Sequence, residues 1–250
     1  MVQDFIDPHI RELFARHQLD SFDALWELKL EAVDHPNTER GGWSSVSRLE
    51  LDGQTFYLKR QRNHLTRSVL HPLGEPTFAR EFRTIQQYEK LGIPALRAAW
   101  FGQRRIEGEQ RAILVTHALE GWRDLAGWLE CWEQVSGDER RAILGACGVL
   151  ARTLHAAGQM HGCFYPKHIF LRRKGECFDA CLIDLEKTRR LWLGRRDRIK
   201  DIEPLIRRTR HVWQPDEHMQ LLQSYLGSSE LARIWYGWLQ VRISDKDSRP

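Results

Sequence analysis

Read for the spacing of its apolar positions, the chain changes period twice. The first thirty residues carry two helical patterns, Ile6, Ile10, Leu13 and Phe14 on one and Leu25, Trp26, Leu28 and Leu30 on the other, with Ser21 as a cap between them. From Gly41 the period falls to two. The runs Trp43–Leu51 and Gln54–Lys59 alternate around Asp52-Gly53, a strong short hairpin signal. A helix is expected from Thr77, with Phe78, Phe82, Ile85 and Leu91 on one face and Gly92 and Pro94 as its stop. Strand-like runs follow at Ala98–Gly102 and Arg111–His117. Beyond them the pattern is mostly helical, over about 123–133, about 139–157 and in three segments after 197.

Strands with one helix followed by a helical half predict an α+β fold. A small β-rich lobe (38–117) joins a larger α-rich lobe (118–250) near Thr116–Gly121, with a cleft, and residues 1–37 form an N-terminal helical extension. No internal repeat or low-complexity stretch breaks this plan.

Composition narrows the class. Of 250 residues 42% are hydrophobic and 29% charged, the profile of a soluble globular protein, with ten tryptophans the unusual feature. No run approaches the roughly 18 apolar residues of a membrane span, and the polar, acidic start is unlike a signal peptide, so a cytoplasmic location is expected. The five cysteines (131, 147, 163, 177 and 181) read as reduced thiols. Net charge is only +4, yet ten Lys/Arg face three acids between Lys187 and Arg210. That stretch favours an anionic partner.

Two short segments carry candidate chemistry, His161-Gly-Cys-Phe-Tyr-Pro-Lys-His168 and Leu182-Ile-Asp184-Leu-Glu186, preceded by Lys59 in Phe56-Tyr-Leu-Lys59. They resemble the catalytic loop, metal-binding strand end and phosphate-gripping lysine of protein-kinase-like phosphotransferases. Glu81 borders the buried face of the helix after Lys59 and is placed to pair with it; a solvent-exposed carboxylate beside Arg80 or Arg83 is the alternative. Gly41, Gly42, Ser44 and Ser45 form a weak candidate phosphate loop, equally readable as a turn, and Thr116 at the joint is a candidate nucleotide contact.

Asp184 ends a buried apolar run and is a candidate magnesium ligand, with Glu186 either a second oxygen ligand or a partner of Arg189 or Arg190. His168 stands where the second metal ligand is normally asparagine. Imidazole is a poorer magnesium ligand, which leaves phosphate positioning or loop support as its role. Cys163 occupies the catalytic aspartate's position, and a thiol with pKa of about 8.5 is mostly protonated at neutral pH. His161 is the nearest alternative base, although a histidine at this position usually has a structural role. Losing a general base costs roughly 10²–10⁴ in rate, which still leaves room for a slow enzyme.

At these segments, together with Tyr57-Leu-Lys59-Arg-Gln61, Ser68-Val-Leu-His-Pro72-Leu-Gly-Glu-Pro76-Thr-Phe-Ala-Arg80-Glu81 and Asp184-Leu-Glu-Lys-Thr-Arg-Arg190, the chain resembles the lipopolysaccharide core kinases and, among them, the InaA-type branch, from about residue 38 to about 212. The resemblance implies a two-lobed protein-kinase-like fold, ATP and Mg2+ as cofactors, and a heptose or Kdo sugar of the lipopolysaccharide inner core as acceptor at the inner face of the inner membrane. It further implies nucleotide binding by Lys59 with Glu81, metal binding by Asp184 and an acceptor site near 161–168.

Three readings follow. The first is an ATP-dependent kinase of a core sugar, with the arginines after Asp184 receiving an anionic phosphosugar and the basic residues Lys59, Arg60, Arg62 and Arg67 holding the chain to an anionic membrane surface. The second is a pseudokinase that binds nucleotide or an envelope component and acts through a partner in stress response. A nucleic-acid binder rests on 187–210 alone, and no nucleic-acid partner is expected.

Overall fold

The computed structural model describes residues 4–33, 38, 42–66, 72 and 74–248. The chain divides into two units, Met1–Glu89 with Leu96–Glu120 and Lys90–Ala95 with Gly121–Pro250.

The first unit contains β1 (Phe5–Ile6), α1 (Arg11–Arg16), α2 (Phe22–Glu27), β2 (Trp43–Leu51), β3 (Gln54–Arg62), β4 (Leu65–Thr66), β5 (Glu75–Pro76), α3 (Thr77–Leu91), β6 (Ala98–Ile106) and β7 (Glu109–His117). Five strands form one antiparallel sheet in the order β1-β6-β7-β3-β2. The expected hairpin is there: Leu51 pairs with Gln54, and Asp52 and Gly53 both take positive φ (47° and 78°), the turn whose twist matches that of the strands. Glu107 and Gly108 repeat this device (52° and 85°) and join β6 to β7. These two strands run further than their apolar runs indicate. Their ends are held by backbone pairing, Arg104 to Arg111 and Ile106 to Glu109, under polar side chains that carry no apolar signal.

Residues 4–33 do not stand apart as an extension. Ile10, Leu13, Phe14, Leu19, Phe22 and Leu25 share one buried cluster with Leu49, Leu51, Phe56, Leu58, Trp100, Ile113 and Val115 of the sheet. The short helices are therefore one layer of this core, because an amphipathic helix of six residues is unstable until its apolar face is covered. Phe5 and Ile6 pair with Phe101 and Trp100, which covers the free edge of β6. Ser21 caps α2, its Oγ accepting from Ala24 N (3.3 Å), but the helix stops at Glu27, and Ala32 instead forms an antiparallel bridge with Ser47 of β2.

The second unit contains β8 (Arg123–Asp124), α4 (Leu125–Glu130), α5 (Gly137–Ala156), β9 (Gln159–Met160), β10 (Ile169–Lys174), β11 (Cys177–Leu182), β12 (Arg189–Arg190), α6 (Arg195–Thr209), α7 (Pro215–Leu226) and α8 (Ser229–Asp247). The helix expected from 123 begins two residues later. Arg123 and Asp124 pair with β10, and the Asp124 carboxylate then caps α4 by accepting from Gly127 N (2.6 Å). α5 is the central support, burying Ile143, Leu144, Cys147, Leu150 and Leu154. A Cβ at Gly148 would fall 2.6 Å from the Leu221 carbonyl oxygen, so the glycine permits the close approach of α7. All five cysteines are free.

Candidate functional site

In the first unit Lys59 lies on β3 and Glu81 one turn into α3. The ammonium of Lys59 donates to Glu81 Oε1 at 2.7 Å. Glu81 is 2% exposed, whereas Lys59 keeps some access to solvent. A buried carboxylate requires a partner, and this one turns a lysine toward a fixed direction without consuming all three of its protons.

The neighbouring cations are occupied. Arg60 donates to the carbonyls of Trp26 (2.8 Å) and Leu28 (2.7 Å), and Arg62 pairs with Glu109 (3.4 Å), so the membrane contact expected of this stretch loses those two charges; Arg67 lies outside the described residues.

The phosphate-loop candidates are dispersed. Ser44 and Ser45 sit inside β2, paired with Gln61 and Arg60, where the strand ladder rather than a loop uses the backbone. Gly42 needs its lack of a side chain for another reason: a Cβ there would fall 2.4 Å from the Asn63 carbonyl carbon and the His64 nitrogen. Gly41 lies outside the described residues. Thr116 is a buried residue of β7, paired with Tyr57, one position before the strand ends.

In the second unit the β10–β11 hairpin builds the rest. Ile169 pairs with Leu182, and the Ile183 amide continues the ladder by donating to the His168 carbonyl (3.1 Å), so residues 168 and 184 emerge side by side. Asp184 adopts a left-handed backbone (φ 59°, ψ 65°), unusual for a residue other than glycine, and its carboxylate is 38% exposed. His168 Nε2 lies 3.1 Å from Asp184 Oδ2. The Cys163 carbonyl, 2.9 Å from His168 Nδ1, can only accept, so the ring proton of neutral His168 is on Nδ1 and Nε2 turns a lone pair toward the carboxylate. Burial lowers the His168 pKa and opposes its double protonation, against the pull of Asp184. Two electron-rich atoms so placed call for a cation.

His161 is fully buried. The Cys163 amide donates to its Nδ1 (3.3 Å), so the ring proton is on Nε2, which donates to the Ile183 carbonyl (2.9 Å). Both nitrogens are spent on holding the loop against the strand end, which is the structural role expected of His161 rather than that of a base.

Cys163 is itself buried, and burial, followed by the nearby Asp184, pushes its thiol pKa up while Lys187 and Tyr165 pull it down. The net direction is upward, and the thiol stays neutral at pH 7. The charge beside it is the Lys187 ammonium, whose own pKa is raised chiefly by Cys163 and then by Glu186.

Among the described residues no group of three His, Cys, Asp or Glu is placed to hold a metal ion, with or without Glu186. Of the two arginines expected as alternative partners of Glu186, Arg189 is bound to Asp197 (2.8 Å).

One participant carries no motif. Asp201 on α6 is buried, and its carboxylate accepts from the amides of His161 (2.8 Å) and Gly162 (2.7 Å), with His155 Nε2 at 3.1 Å. Gly162 has φ 78°, and a Cβ there would lie 2.6 Å from the Lys187 carbonyl oxygen. Asp201 thus clamps the turn that starts the loop from forty residues away. Its only sequence signal is an acid inside the basic run. Arg208, from the same helix, lies 4.1 Å over the Tyr165 ring of the loop.

Residues 23–225 fit the lipopolysaccharide kinase (Kdo/WaaP) family, a span that takes in α2 as well as the loop and strand end. Protein InaA of Escherichia coli (strain K12) is 35% identical over 173 residues, 68% of this chain and 80% of that protein. Among solved structures, WaaP in complex with acyl carrier protein superposes with a TM-score of 0.73 at 20% identity, over 98% of this chain and 99% of that one. The α+β, two-lobed protein-kinase-like fold expected from the residues is therefore the observed one. With the sequence family spanning both units, this chain belongs to the lipopolysaccharide kinase (Kdo/WaaP) family.

Proposed function

We propose that the protein is an ATP-dependent phosphotransferase acting on a sugar of the lipopolysaccharide inner core, such as heptose or Kdo. The observation that carries this reading is the buried Lys59–Glu81 pair at 2.7 Å, which keeps one ammonium aimed and available for phosphate oxygens. The donors facing each other at His168 and Asp184 fit a magnesium ion. Adjacent ligands of an octahedral ion at about 2.1 Å are about 3 Å apart, and these two are separated by 3.1 Å. Magnesium, when bound, supplies neutralisation of phosphate charge, and two protein ligands suffice for an ion that keeps several waters.

The remaining work falls to the chain's own residues. Lys59 orients the nucleotide phosphates and Glu81 orients Lys59. Asp201 and His161 fix the turn at Gly162, so that the loop presents Cys163 and His168 in a constant arrangement, with Lys187 beside Cys163. Lys187 and Arg208, beside Cys163 and Tyr165, are suited to the negative charge of a phosphorylated sugar. No strong base stands at Cys163, so rate rests on positioning and charge.

That same neutral thiol favours a second reading, a pseudokinase that binds nucleotide without transfer. The test is a melting-temperature titration with MgATP on the native chain, Lys59→Ala and Asp184→Ala, followed by γ-phosphate transfer to extracted lipopolysaccharide. Stabilisation that both substitutions remove, with transfer above background, supports the kinase. Stabilisation without transfer supports the pseudokinase, and the lack of both rejects nucleotide binding.

A further inference from the structure

α8 is seated by Ala232, Trp235, Leu239 and Ile243, all buried, yet an adjoining stripe of Leu231, Ile234, Trp238 and Val241 is exposed, Val241 to 63%. The spacing of three, four and three residues puts these four on one strip of the helix. Next to it is a second exposed apolar pair: Trp192 is 76% and Leu193 59% exposed. Their turn is built rather than loose, because Asp197 Oδ2 accepts from both amides, at 2.9 and 3.0 Å. Arg195 joins the two groups, its guanidinium 4.3 Å over the Trp238 ring.

On the 188–200 side of the patch the exposed charge is positive. Arg190, Arg195, Arg196 and Lys200 are exposed, while Asp197, the one acid between 188 and 200, is buried and bound to Arg189. Farther along α8, Arg242 and Lys246 are drawn to the buried Glu203, and the exposed acids Glu230 and Asp245 mark the two ends of the stripe.

We infer that this patch is a docking surface for an anionic lipid bilayer. An exposed Trp-Leu tip and an apolar helix strip suit the headgroup boundary, and arginines with their long stems meet lipid phosphates while their neighbours enter the apolar layer. A second copy on the same patch would set like charges against each other, and nucleic acid has no use for the apolar strip. No helix among the described residues is long and apolar enough to cross a membrane, so the contact is peripheral. Trp192, Leu193 and the α8 strip are assigned above to no nucleotide, metal or acceptor, so their part of the test stands independently of phosphoryl transfer, whereas Arg190, Arg195 and Arg196 belong to the stretch expected to meet an anionic acceptor.

The test is co-sedimentation of the full chain with phosphatidylcholine vesicles, with and without phosphatidylglycerol, in low and high salt. Binding is expected with phosphatidylglycerol, weakened by salt, and weak with phosphatidylcholine alone. Each cation is worth about five-fold in partitioning at an anionic surface, so Arg195→Glu/Arg196→Glu should lose tenfold or more, and Trp192→Ser/Leu193→Ser a comparable factor. Both variants should keep the native melting temperature and the native response to MgATP. Equal binding to both vesicle types, or binding that neither double variant reduces, overturns the inference. Self-association abolished by Trp192→Ser/Leu193→Ser without vesicle binding, or DNA retention without vesicle binding, overturns it as well.

Discussion

His168 Nε2 stands 3.1 Å from Asp184 Oδ2, and its ring is fixed by the Cys163 carbonyl so that a lone pair points at the carboxylate. A nitrogen and an oxygen ligand together favour manganese over magnesium, because imidazole gains more from the later metal. Mn2+ should raise the melting temperature in the presence of ATP at about tenfold lower concentration than Mg2+. His168→Asn should narrow that gap, and Asp184→Asn should remove the response to both ions.

Lys59 and Glu81 should behave as a unit. Removing one member of a mostly buried pair costs roughly 3 kcal/mol, since the other is left uncompensated. Lys59→Ala is expected to unfold at correspondingly lower urea concentration, and Lys59→Met/Glu81→Leu to recover most of the loss. Neither variant should be stabilised by MgATP.

Cys163→Asp tests the missing base directly. A carboxylate at that position, next to Lys187, should raise transfer to lipopolysaccharide by roughly 10² or more over the native chain. The gain should vanish in Cys163→Asp/Asp184→Asn. An unchanged rate would show that proton removal does not limit the reaction.

Asp201→Asn replaces one acceptor oxygen with an amide that faces the backbone N–H of His161 or Gly162. Leaving such buried donors unmatched costs about 3 kcal/mol, or roughly 6–12 °C in melting temperature for a chain of this size. Hydrogen exchange should show faster opening at residues 161–163 than elsewhere in the unit.

Acid should weaken the fold before its carboxylates titrate. His218 is buried beside Thr209, and burial lowers its pKa from 6.5 to about 4. The unfolded chain therefore takes up a proton below pH 6.5 that the folded one refuses. Stability is complete above that pH and declines as pH falls toward about 4, where the folded form protonates too. The full displacement is worth ~3 kcal/mol, and His218→Gln should flatten the decline in chemical denaturation between these pH values. Asp197 adds a loss at lower pH: the Arg189 guanidinium, with the Leu193 and Trp192 amides, holds its carboxyl far below the usual range, so that stability disappears as pH drops beneath ordinary carboxylate values.

Much of the architecture was legible because it is local. The Asp52-Gly53 turn, the stop of α3 at Gly92 and the helical segments α5 to α8 all follow from residues within a few positions of one another. The pair Lys59 and Glu81 was legible through the hairpin and helix that carry them. Other residues have packing and hydrogen-bonding demands that their local pattern does not announce. Gly42 reads like a phosphate-loop glycine, yet its demand for space comes from the backbone at Asn63 and His64. His161 reads like a base, and its ring is consumed by two backbone groups. Asp201 carries no pattern, since its partners lie forty residues upstream.

By itself, then, the sequence determined the longer helices, the strands of the first unit from Trp43 to His117, the Asp52-Gly53 turn and the residue types available for phosphate and metal, because period, capping and turn chemistry act over short stretches of chain, while the short strands β1, β8, β9 and β12 and the β10–β11 hairpin carried no such signal. Only the tertiary structure decided which of those groups stay free to react. It merged the N-terminal helices with the sheet, spent His161 on the Ile183 carbonyl, kept the Cys163 thiol neutral, and turned His168 toward Asp184. A side chain's chemistry depends on the water it loses and the partners it meets, and both are fixed only when distant segments pack together.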